Sequence, residues 1–375
     1  MKVLHLIDSE GLYGAEKMLL TLVGGQRNSG VDACILSSTN NAEVRKPLVQ
    51  TAKEQGLPVI EWLMKDGLNF FQALKIVSYA KENNFSVLHA HGYKFDILMG
   101  LIPLFIRKLP LVCTLHGYLS SDKFTKLWLY QQVDRRVVAK AQATVFVSHA
   151  MTQRDEFKEL PIKNKHVIYN GIQFDYTKSG NKSPLLEKIY PSKEIDGLHI
   201  IVAVGRLSPE KGFNDLIKAF SIIYPENPNL RLLILGEGEE REGLETLIKE
   251  LGLIAVVSLP GFVDDVASII KRSDLLVMSS YTEGMPITLL EAVVENIPVI
   301  ATKVGGIPEL LSDYKKAIMI EPGDSLGISG AVKDVLGNED MKKWTDVSDV
   351  EEKFSCYQMV NGYLELYNSL GLNVS

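Results

Sequence analysis

The chain has 375 residues, 46% hydrophobic and 23% charged, a balance that excludes a disordered polymer and exceeds what one hydrophobic core serves. Its three cysteines, Cys34, Cys113 and Cys356, lie far apart with no paired spacing, which excludes a disulfide framework and reads as free thiols in or near apolar segments. The net charge of −6 is unevenly shared, with +5 on residues 1–175 and −11 on the remainder, so the first half suits an anionic partner unless the asymmetry is mere scatter.

The opening MKVLHLID has no signal-peptide pattern, and the longest apolar stretch, Ile97–Ile106, is about half a membrane span and contains Pro103. A cytoplasmic protein is expected, with peripheral contact at the inner face of an anionic membrane left open. A nucleic-acid partner is not expected. In chain order, strands are predicted at Val3–Ile7, Ala33–Ser37, Val59–Trp62, Val87–His89, Leu111–Leu115, Thr144–Val147 and Val167–Tyr169. Most are continuous apolar runs, as parallel strands covered on both faces require. Helical spacing falls between them at Ala15–Arg27, Phe70–Glu82, Asp96–Ile106 and roughly Lys123–Ala141. The last of these mixes Phe124, Leu127 and Trp128 with Lys126, Arg135 and Arg136. It suits either a lipid-facing amphipathic helix or a sheet-covering helix with a solvated basic face.

Residues 177–197 turn polar and are read as an inter-domain connection. Alternation then resumes, with strands at Ile200–Val204, Leu230–Leu235, Val256–Leu259, Leu275–Met278, Val299–Ala301 and Ile318–Ile320. Helices are predicted at Asn214–Tyr224, Glu240–Leu251, Asp265–Lys271, Pro286–Glu295 and Leu326–Leu336. The whole reads as α/β: a Rossmann-like domain over 1–176, a second over 198–350, and a closing helix within 351–375. Two wound sheets imply a ligand bound in a cleft between facing domains.

Three turns carry chemistry. The first strand ends in Asp8-Ser-Glu-Gly11-Leu-Tyr13-Gly14-Ala-Glu, where the glycines would let backbone N–H groups approach an anion, although an ordinary strand-to-helix turn fits equally well. The second half opens with Gly205-Arg206-Leu-Ser-Pro-Glu-Lys211-Gly, a guanidinium fork and an ammonium that complement a diphosphate. The most informative stretch is Glu283-Gly284-Met285-Pro286-Ile287-Thr-Leu-Leu-Glu291. Two carboxylates about 12 Å apart along a helix are placed to grip two ends of an elongated ligand, with the helix N-terminus between them for phosphate. Sugar, diphosphate, ribose is the order described.

These residues closely resemble glycosyltransferase family 4, retaining enzymes of the GT-B fold, over nearly the whole chain. The E-x7-E stretch from Glu283 to Glu291 carries the resemblance, supported by the turn at 205–212, Gly236-Glu-Gly238, Pro260-Gly-Phe262-Val263, His116-Gly117 and Asn170-Gly-Ile172. The resemblance implies that Gly205, Arg206 and Lys211 serve the donor diphosphate, Glu283 the transferred sugar and Glu291 the ribose. The backbone at Gly284, Met285, Pro286 and Ile287 would assist. Gly236 and Phe262 would lie near the nucleoside, Gly14 would face the phosphates, and His116 would sit beside the reacting centre. Tyr13 departs from the family's Gly-Gly-Ala-Glu run. His116, Arg206, Lys211 and Glu283 are the expected catalytic set.

The implied reaction moves a hexose from a nucleotide-diphosphate sugar to an acceptor hydroxyl, in surface polysaccharide or glycolipid synthesis. A lipid-linked acceptor glycan is one possibility. No cofactor beyond that co-substrate is expected. A metal on His89, His91 and His116 is disfavoured because no cysteine or carboxylate completes a ligand set. A nucleotide-sugar epimerase of similar fold and an inactive sugar-nucleotide-binding protein are the alternatives.

Overall fold

The computed structural model describes all residues but 10, 42, 44, 119–123, 175–183, 191–196 and 373–375. Most of the expected connection at 177–197 therefore lies outside the described residues. Two compact units emerge, one of residues 1–173 with 353–375, the other of 174–352.

The first unit holds a seven-stranded parallel sheet in the order β3-β2-β1-β4-β5-β6-β7. The strands are β1 (Lys2–Ile7), β2 (Asp32–Thr39), β3 (Val59–Leu63), β4 (Val87–His91), β5 (Leu111–Leu115), β6 (Ala143–Phe146) and β7 (Lys165–Val167). The second unit's six strands are β8 (His199–Val204), β9 (Leu230–Leu235), β10 (Val257–Gly261), β11 (Leu275–Met278), β12 (Val299–Thr302) and β13 (Ala317–Ile320). Their order, β10-β9-β8-β11-β12-β13, repeats the first. In both, strand order reverses beside the first strand, which opens a crevice at the carboxyl ends of β1 and β4 and of β8 and β11.

The apolar runs explain this layering. Val3, Leu4 and Leu6 of β1 are fully buried, as are Leu232, Leu233 and Ile234 of β9, because helices cover both faces. The helix Phe213–Ile223 turns Phe213, Leu216, Ile217, Phe220 and Ile223 onto the second core. Burying each such side chain contributes about 1.5–3 kcal/mol. The final helix, Cys356–Ser369, returns to the first unit: a Cβ at Gly25 would meet Val360 at 2.6 Å and the Cys356 sulfur at 2.9 Å.

Two expectations need correction. The helix predicted over Asp96–Ile106 is two helices, Tyr93–Gly100 and Leu104–Arg107, with Pro103 capping the second. Proline cannot donate to the helix it would interrupt. Pro286 is not the first helical residue: its ψ of 120° is extended, and the helix runs Ile287–Val294. The basic segment forms the helix Lys126–Val138, where Val137 packs so closely on Gly100 that a Cβ there would meet it at 1.9 Å. Lys123 lies outside the described residues.

Candidate active site

In the second unit, the loops after β8 and β11 converge. Lys211 Nζ donates to Glu283 Oε1 at 2.7 Å, and Ser280 Oγ donates to the same oxygen at 2.7 Å. The Glu283 side chain is only 9% exposed, so these two donors offset the cost of burying its charge. Arg206 instead reaches sideways to Glu210 Oε1 at 2.8 Å with half of its side chain exposed, an arrangement worth little to stability and easily exchanged for another anion.

Close backbone approaches fix these loops. Gly212 has φ of 64° and Gly305 φ of 53°, a region where side chains strain. A Cβ on Gly212 would lie 2.2 Å from the Ser279 carbonyl oxygen, and one on Gly305 1.8 Å from that of Glu283. Gly306 N–H donates to the Gly284 carbonyl at 2.8 Å. Pro286 gives the helix Ile287–Val294 no side-chain cap, and the positive dipole end of that helix favours an anion there. Gly236 abuts Gly205, whose carbonyl oxygen would lie 1.9 Å from an added Cβ, and its N–H donates to Gly261, the residue before Phe262. Gly205, Arg206, Lys211, Gly236 and Glu283 to Ile287 thus share one strand-end neighbourhood. Glu291 stands on the helix itself, four residues beyond Ile287.

The first unit fills its crevice differently. A pocket of about 200 Å³ is lined by Ile7, Asp8, Gly92, Tyr93, Asp96 and His116, among others. Gly14 opens the helix Gly14–Asn28, exposed and with open space where a Cβ would be. Lys94 and Lys46 both reach Asp8, at 2.9 and 3.3 Å. His91 and His116 line its wall, and His5 and His89 lie behind them. Burial pushes His5 and His116 down to about 4, and His89 and His91 well below their usual value, so all four are neutral at neutral pH. Burial also pushes Asp96 up to about 7, and Asp134 well up, by burial first and the Asp96 charge second. Ligating atoms of His5, His89 and His91 lie within 4.8 Å of one another. However, the His89 nitrogens are already hydrogen-bonded to the Tyr367 hydroxyl at 2.6 Å and Thr114 Oγ1 at 2.7 Å. The cluster is a hydrogen-bonded core.

Sequence reasoning passed over Ser280, the Gly305-Gly306 pair, His5 and Gln26. A paired glycine after a strand and a histidine inside an apolar strand were the available signals.

Two family models match the chain: "Glycosyltransferase Family 4" over residues 13–176 and "Glycosyl transferases group 1" over 187–347. The putative glycosyltransferase EpsD of Bacillus subtilis is 30% identical, covering 73% of this chain and 76% of its own. The UDP-Gal:α-D-GlcNAc-diphosphoundecaprenol α-1,3-galactosyltransferase of Escherichia coli is 28% identical over 70% of this chain and 68% of its own. Among solved structures, Anabaena Alr3699/HepE in complex with UDP-glucose superposes with a TM-score of 0.82 at 23% identity, covering 98% of this chain and 100% of that one. That likeness shows the fold. With both halves matched in order on this GT-B architecture, the chain belongs to glycosyltransferase family 4 and is a glycosyltransferase.

Proposed function

We propose that the protein transfers a hexose from a nucleotide-diphosphate sugar to an acceptor hydroxyl, with retention at the anomeric carbon, in surface polysaccharide or glycolipid synthesis. The observation that carries this reading is the Lys211–Glu283 pair at the uncapped N-terminus of Ile287–Val294. Glu283 would accept hydrogen bonds from sugar hydroxyls. Lys211, Arg206 and the helix N-terminus would face the diphosphate. As the glycosidic bond lengthens, negative charge grows on the leaving phosphate, and these groups stabilise it without a metal or cofactor. The departing phosphate would take the acceptor proton on the same face, which retains configuration. Glu291 would hold the ribose, and Gly236 and Phe262 would flank the nucleoside.

The E. coli relative's name includes UDP-Gal and a lipid diphosphate acceptor, and the Anabaena protein was solved with UDP-glucose; both support this choice of ligand class. Family membership sets the epimerase aside. Among the described residues no helix is long and apolar enough to cross a bilayer. Phe124, just before the basic helix, and Leu129, on it, are 84% and 54% exposed, which supports peripheral docking on an anionic membrane face. Co-sedimentation with anionic but not neutral vesicles is the expected result for that part.

The functional test is consumption of UDP-, GDP- and ADP-sugars with and without lipid-diphosphate sugar acceptors, and NMR of the product's anomeric centre. Acceptor-dependent consumption with the donor's anomeric configuration retained is expected. Inversion, or consumption indifferent to every acceptor, overturns the reading.

A further inference from the structure

Three imidazoles of the first unit form one hydrogen-bonded file. His5 Nε2 lies 2.8 Å from Gln26 Oε1, His5 Nδ1 lies 3.0 Å from His91 Nε2, and His91 Nδ1 lies 3.0 Å from His116 Nε2. The residues come from β1, the end of β4 and the turn after β5, three adjacent strands. Successive rings stack with centroids 5.2 Å apart. Burial keeps all three neutral at neutral pH.

A neutral imidazole has one N–H and one lone pair. Each contact between rings needs one of each. The file therefore has only two self-consistent states: every proton on Nε2, or every proton on Nδ1. Any mixture sets two N–H groups or two lone pairs against each other. The partner at the inner end decides between them. Gln26 Oε1 can only accept, so His5 carries its proton on Nε2, His91 must do the same, and so must His116. The other half of the Gln26 amide is also engaged: its Nε2 donates to the Tyr367 hydroxyl at 3.3 Å. These tautomers follow from the pattern of partners. At the outer end the file finishes in His116 Nδ1, which is buried, has no hydrogen-bond partner among the described residues, and belongs to a side chain lining the pocket.

We propose that Gln26, His5 and His91 are positioning residues that fix His116 in the Nε2-protonated tautomer, so that it meets a bound ligand only as a hydrogen-bond acceptor. The ligand half of this proposal rests on the proposed transfer reaction and on His116 lining the first unit's pocket; the tautomer half does not. An acceptor-only nitrogen selects a hydroxyl over an ether or carbonyl oxygen at that position. Removing the Gln26 oxygen releases the choice. In Gln26→Met the His5 Nε2–H would be buried without an acceptor. The file then relaxes toward the opposite state, which ends in an N–H at the pocket wall.

The test is the two-bond 15N–1H correlation spectrum of the histidine rings in the full-length, unliganded protein. In the wild type, His116 Nδ1 is expected to be unprotonated. In Gln26→Met a substantial share of His116 should carry its proton on Nδ1. Tyr367→Phe, which disturbs the same core but keeps the Gln26 oxygen, should resemble the wild type. With a nucleotide-sugar donor, kcat/KM should fall about tenfold in Gln26→Met, the loss of one hydrogen bond, and stay near wild type in Tyr367→Phe. A protonated Nδ1 on wild-type His116, measurable even if the variant fails to fold, overturns the proposal, as does an unchanged tautomer in Gln26→Met. A changed tautomer with unchanged kinetics supports the relay and overturns the role of His116 in meeting a ligand.

Discussion

The two sheets share one strand order and place their crevices at equivalent strand ends, yet they fill them with different chemistry. Beside β8 and β11 stand charges in contact, Lys211 on Glu283 and Arg206 on Glu210. Beside β1 and β4, Asp8 is paired with Lys94 and Lys46, and next to that ion cluster stand imidazoles held neutral by burial. Topology chooses where a ligand can sit, and the residues on the turns choose what is done to it. A charged crevice suits a diphosphate whose charge changes during reaction. Neutral imidazoles that orient through hydrogen bonds suit uncharged hydroxyls.

The sharpest break of this contrast is Lys211→Ala. Losing one donor to a developing oxyanion should lower kcat by about 10²–10³, or roughly 3–4 kcal/mol. A fall below about threefold at saturating donor would remove Lys211 from the chemistry.

The neutral imidazoles should reveal themselves through pH. The four imidazoles have folded values below 6.5, so their contribution is complete above 6.5 and is lost as pH falls toward 4. Asp96 and Asp134 act the other way. Their raised values give stability that is complete below about 3.8 and lost as pH rises through about 7 for Asp96 and higher for Asp134. Four groups outnumber two on the acid side, so stability should peak near neutrality and decline by a few kcal/mol, to order of magnitude, between pH 6.5 and 4. Thermal unfolding across that range checks it. A first unit equally stable at pH 4.5 and 6.5 would contradict neutral burial of the histidines.

Gly305→Ala tests the scaffold of the charged crevice, because the new Cβ would collide with the Glu283 carbonyl at a left-handed φ. A loss of about 1–3 kcal/mol is expected, read as a lower Tm with weakened donor binding. Unchanged donor affinity would show that the Glu283 loop is held elsewhere. The smallest effect belongs to Glu291→Ala, about tenfold in donor affinity with kcat nearly unchanged, since a ribose contact is alike in ground and transition states.

Much of this was legible in the sequence. Twelve of the thirteen expected strands form where expected, since continuous apolar runs such as Leu230–Leu235 leave little alternative for parallel strands buried on both faces, whereas the strand expected at Val167–Tyr169 lies two residues earlier, at Lys165–Val167. The charged crevice was readable because its residues sit close together along the chain, at 205–212 and 283–291. The helix at Asp96–Ile106 was misjudged because its periodicity ran through Pro103. The histidine file escaped because His5, Gln26, His91 and His116 are scattered over more than a hundred residues. Only the strand register, Ile7 beside His91 and His91 beside Thr114, brings them together.

The most direct measurement of donor recognition is calorimetric titration of UDP-, GDP- and ADP-sugars into the wild type, Lys211→Ala and Glu291→Ala. The expected result is saturable binding of one nucleotide class, weakened about tenfold by Glu291→Ala and also reduced by Lys211→Ala. Equal affinity in all three proteins, or no binding of any nucleotide sugar, would contradict a donor site built from the turns after β8 and β11.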